Sequence, residues 1–180
     1  MAPWDGQSPQ AGNLPSDLLA VLASILCEHT STASSCWFCL WDGYGVLRRS
    51  PAVNFITAHT DGLPGQPQDG AVPPALPAEI LQGPRVRLPH RDYILFEGPV
   101  GSATDLSELI GGPLLPQSPN LFWTEDRAWC VASEIDLFCT LVGGSEQLVE
   151  ALLADPTLEV WRIGPTDPIA FNSDLINARS

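Results

Sequence analysis

The chain has 180 residues, 21 of them acidic and 8 basic, for a formal net charge of −13. That length suits one domain with its own core, and a hydrophobic content of 44% separates it from disordered chains. The acidity disfavours contact with nucleic-acid phosphates or a membrane of anionic lipid, and no apolar run reaches the ~18 residues that a transmembrane helix needs.

The opening MAPWDGQSPQ has neither a basic nor an apolar region of the secretory kind, so the expected location is cytoplasmic. Residues 1–13 read as a flexible N-terminus, 14–170 as a single domain and 171–180 as a tail. Ser16 is the expected cap of a first helix. Its apolar stripe is Leu18, Val21, Leu22, Ile25 and Leu26, with His29 in the last turn where it suits the helix dipole. Cys36 to Trp41 reads as a strong strand. Asp42-Gly43 signals a turn after it, with Val46-Leu47 starting a return strand and Val53 to Ile56 a weaker one.

Proline and glycine supply ten of the 24 residues from Asp61 to Pro84, which rules out a regular ladder and predicts a long surface loop. Arg85 to Leu88 and Tyr93 to Phe96 flank Pro89-His90-Arg91-Asp92, and the second run reads as a central strand. His90-Arg91-Asp92 has the letters of a kinase catalytic loop without its companions. The metal-binding asparagine is replaced by Glu97, and no glycine-rich nucleotide loop exists. Thr104 to Ile110 suggests a short helix.

Asn120 to Ala154 is the stretch around which the rest is arranged. Leu121-Phe122-Trp123, then Thr124 to Arg127, then Trp129 onward fit a hairpin. Alternation from Ala128 to Val142 predicts a strand with Trp129, Val131, Ser133, Ile135, Leu137, Cys139 and Leu141 on its core side. A bulge or break near Asp136 is expected, because fifteen residues is long for one strand. Gly143-Gly144 ends it, Ser145 caps a helix near 145–154, and Leu158 to Ile163 reads as a last strand. Strands without regular intervening helices predict an α+β fold. Its sheet is mostly antiparallel, covered by the N-terminal helix and the helix near 145–154.

Chemistry is sparse. Five cysteines and no leader argue for reduced thiols, and Cys36 and Cys39 point to opposite sides of a strand. Three scattered histidines give no metal spacing, and no hydrolase or dinucleotide signature occurs, so no catalytic residue, metal or cofactor is assigned. What recurs is tryptophan beside carboxylate: Trp41-Asp42, Trp123 with Asp126 and Arg127, and Glu134 with Asp136. These seven residues are the candidate binding site. Three readings stand open. They line a ligand pocket, they form a protein-binding face, or the tryptophans are core and the carboxylates cap turns.

The run WTEDRAWCVASEIDL…TLVGGS from Trp123 to Ser145, with the upstream CWFCLWDGYG, resembles uncharacterised bacterial proteins and, more loosely, the SUKH superfamily of immunity proteins. The resemblance implies an α+β fold with a leading helix, and a non-enzymatic protein that neutralises a toxin by binding it. Acidity suits a basic protein partner. The alternative is a small-molecule binder or hydrolase with a tryptophan and carboxylate pocket.

Overall fold

In a computed structural model, residues 9–48, 76–111 and 117–169 are described. In chain order they form α1 (Ser16–Glu28), β1 (Cys36–Trp41), α2 (Gly45–Arg48), α3 (Ala78–Leu81), β2 (Arg85–Leu88), β3 (Arg91–Gly98), α4 (Ser102–Gly111), β4 (Leu121–Thr124), β5 (Trp129–Ser133), β6 (Thr140–Gly144) and α5 (Glu146–Ala154). The strands make one six-stranded sheet of order β2-β3-β1-β4-β5-β6, with every pairing antiparallel. The expected α+β class, its antiparallel sheet and its two covering helices are therefore present.

The core lies between the sheet and the helices. Leu19, Leu22, Ala23 and Leu26 of α1 are buried together with Ala103 and Leu106 of α4 and Leu148 and Leu152 of α5. From the sheet they meet Cys36, Phe38, Leu40, Ile94, Phe122, Trp129 and Val131. Phe122 joins the ring of Phe38, stacked at 5.9 Å, to that of Trp129, edge-on at 5.7 Å. The α1 stripe is rotated from the sequence reading, with Leu19 buried rather than Leu18, because α1 must face both α4 and α5. Its N-cap is Pro15, with Ser16 the first helical residue, and His29 is the C-cap.

Several local expectations are corrected. Val46-Leu47 belongs to the short helix α2, and the buried Leu47 is carried into the core there. The run from Ala128 to Val142 is two strands around a turn at Glu134 to Leu137, closed by Leu137 N–H on Glu134 C=O at 2.9 Å. The break falls where Asp136 suggested it. The hairpin folds back, so Asp136, Phe138 and Cys139 are exposed. Leu158 to Ile163 is no strand of the sheet. Gly12 is buried, donates to Leu137 C=O at 2.9 Å and accepts from Gln117 Nε2 at 2.9 Å, which ties the end of the N-terminal stretch to the β5–β6 turn. The strand expected at Val53 to Ile56 and the loop through residue 75 lie outside the described residues.

Candidate functional site

Strand alternation decides which side chains leave the core. Cys36, Phe38 and Leu40 face the helices, so Trp37, Cys39 and Trp41 face the other way. The register carries that opposite face across the sheet in rows. Glu97, Trp37, Trp123, Cys130 and Gly143 stand in one row, and Leu95, Cys39, Leu121, Ala132 and Leu141 in the next. Tyr93 pairs with Trp41 beyond them. Trp37, Trp41, Trp123, Leu95 and Leu121 are half-buried and belong to neither the core nor the layer packed against it. This is a second, apolar sheet face with three indoles on it.

The seven candidate residues divide between the two ends of that face. At one end are Trp123, Asp126 and Arg127. Asp126 sits in the β4–β5 turn, and its carboxylate accepts from Thr124 Oγ1 at 2.7 Å, Ser31 N–H and Oγ at 2.8 Å, Thr30 Oγ1 at 2.9 Å and Ala128 N–H at 3.1 Å. These donors, first the Thr124 hydroxyl and then the Ser31 amide, hold its carboxyl well below the usual carboxylate range. Asp126 thus fastens the loop after α1 to the hairpin. Neighbouring Glu125 accepts the indole N–H of Trp37 at 2.7 Å. Arg127 closes the turn in the left-handed region, φ 54°. It borders a broad, open depression of about 620 Å³ that is also lined by Trp123, Trp129, Cys130, Gly143 and Gly144. Among the described residues no carboxylate lines that depression.

At the other end, four strand residues from Trp123 and so ~13 Å distant at a strand's rise, are Trp41, Asp42, Glu134 and Asp136. Arg91 gathers them. Its guanidinium lies 5.6 Å from the centre of the Trp41 ring, 3.1 Å from Glu134 Oε1 and 2.5 Å from Asp136 Oδ2. Asp42 turns away to Arg85 at 3.2 Å. Beneath them Asn120, 2% exposed, joins three chain segments. It accepts from Trp41 N–H at 2.9 Å and donates to Tyr44 Oη at 2.9 Å and Ser133 C=O at 3.2 Å.

The carboxylates therefore do not converge on one cleft. The spacing of Glu134 and Asp136 within a presumed strand suggested a pair on one face, and a turn brings them to one arginine instead. Sequence reasoning missed Trp37, Arg91 and Glu125. Trp37 was available from its even spacing with Trp41, whereas Arg91 and Glu125 depend on tertiary neighbours.

Burial pushes the Cys36 and Cys39 thiols up to about 12, so neither is a nucleophile at neutral pH. His90 is a turn residue at φ 67°, following Pro89 between β2 and β3, the type II pattern. Among the described residues no group of three or more His, Cys, Asp or Glu is placed to hold a metal ion, and no helix is long and apolar enough to cross a membrane. No family model matches the chain, and no curated protein or solved structure matches it.

Proposed function

We propose that this protein is a non-enzymatic binding module that docks a basic protein on the tryptophan face of its sheet. The observation that carries the reading is the row Trp37–Trp123, paired across β1 and β4, with Trp41 beyond it on the same side and no helix over them among the described residues. Tryptophans standing half out of water on a rigid sheet have the makings of hot spots, since each buries a large apolar area with little rotamer entropy to lose. Their surroundings are acidic: Glu97 within the row, Glu125 on the Trp37 indole, and Glu134 and Asp136 outnumbering Arg91. With a net charge of −13 behind it, such a face steers cationic partners and repels acidic ones. Neutralisation of a basic toxin, the role implied by the resemblance to SUKH immunity proteins, is one use of this face.

The rival reading, a small-molecule site, has the open depression beside Arg127 in its favour. Among the described residues no carboxylates converge on that depression, as a hydrolase using a carboxylate pair would need.

The test is affinity capture from the native cell with the wild type and with Trp37→Ser/Trp123→Ser, both checked for an unchanged melting transition. A basic partner retained by the wild type, released by salt and held at least ~100-fold more weakly by the variant is the expected result. Equal recovery of every partner by both forms rejects the face.

A further inference from the structure

Leu158 to Ile163 read as a strand, yet they join no sheet. Their course is fixed by α5. Arg162 reaches back to Glu146, 3.0 Å away, and to Glu150, both on α5, while Asp155 caps the far end of that helix. From Ala154 to Glu146 the helix covers ~12 Å at 1.5 Å per residue. Bends occupy Pro156 to Leu158, and the chain then runs back along the helix from Glu159 to Arg162.

Burial from Leu158 to Trp161 alternates as it does along an extended chain. Leu158 and Val160 pack against the core, while Trp161 is 63% exposed and Ile163 50%. Among the described residues, no N–H or C=O from Glu159 to Ile163 has a hydrogen-bond partner. The segment is thus pinned along one side and open along its backbone, with β-prone Val160, Trp161 and Ile163 in it.

We infer that residues 159–163 are a strand-addition site for an extended, cationic segment of another protein. Backbone pairing needs an extended guest, and alternate guest side chains would lie along Trp161 and Ile163. Charge selects its sign. Glu146 and Glu150 share the single Arg162, and Asp155, Glu159 and Asp167 add three carboxylates within the same stretch of chain. A second copy of this acidic chain would bring the same excess of negative charge against itself. This site lies along α5, away from the tryptophan face, and stands or falls separately from it.

The experiment is amide hydrogen exchange on the full chain, with two synthetic eight-residue peptides as probes, one alternating valine and lysine and one valine and glutamate. The lysine peptide slows alternate amides of residues 159–163, that of Trp161 among them, by at least about tenfold, and the glutamate peptide leaves them unchanged. Trp161→Pro, which removes one amide at an exposed position, abolishes the effect without shifting the melting transition. No protection, equal protection by both peptides, protection that survives Trp161→Pro, or protection that grows with protein concentration alone overturns the inference. The last result would identify a second copy as the occupant.

Discussion

Asp126 and Asn120 illustrate how much of this fold is held by single polar side chains. Asp126 is surrounded by donors rather than buried, so its carboxylate form is favoured in the folded state. Its folded pKa lies below the ordinary value of 3.8. Its contribution is therefore complete above that value and declines as pH falls below it. Thermal melts from pH 6 down to pH 2 should show an acid-side loss of stability that is smaller in Asp126→Asn, the variant being less stable at pH 6. Asn120 acts inside the protein. Asn120→Ala leaves the Trp41 N–H and the Ser133 C=O without their partner, at a cost of about 2–4 kcal/mol. Urea unfolding should register this as a lower midpoint with an unchanged slope. His90 is the opposite case. Its φ of 67° is cheap only for glycine, so His90→Gly should raise stability by about 0.5–1 kcal/mol in the same assay.

At the scale of elements, the decisive object is the hairpin β5–β6 with its turn. Gly12 lies against that turn at φ 70°, and a Cβ there would stand 2.6 Å from Ile135 Cα, a backbone atom that cannot swing aside. Gly12→Ala should cost about 1–3 kcal/mol and speed amide exchange at Leu137, whose C=O accepts the Gly12 N–H. The tryptophans separate in the same way. Trp129, 2% exposed, packs against Phe122 and donates to Leu26 C=O at 3.0 Å. Truncation to alanine there should cost about 3–5 kcal/mol, against less than about 0.5 kcal/mol for Trp161→Ala, by chemical unfolding. Pattern alone does not distinguish these two residues, since each sits in an apolar, β-prone run. Trp129 has β4 and β6 on either side and a helix above, whereas Trp161 has no strand beside it among the described residues.

For the whole molecule, one sheet face is covered by helices and the other carries indoles among carboxylates. The sequence by itself determined the class of fold, because the apolar run Cys36–Trp41, the turn residues after Trp123 and the Ser145 cap with its apolar spacing are local signals that the finished structure keeps. It also determined the chain's electrostatic sign, which needs only composition. The tertiary structure alone decided what the carboxylates do. Asp126 is spent on a loop 95 residues earlier in the chain, while Glu134 and Asp136 are held by Arg91 from a strand 43 residues before the nearer of them. It also decided that Leu158 to Ile163 stays out of the sheet. A strand's pattern states which side chains are apolar, but pairing requires a free edge in reach, and here Arg162 and the helix hold the segment elsewhere.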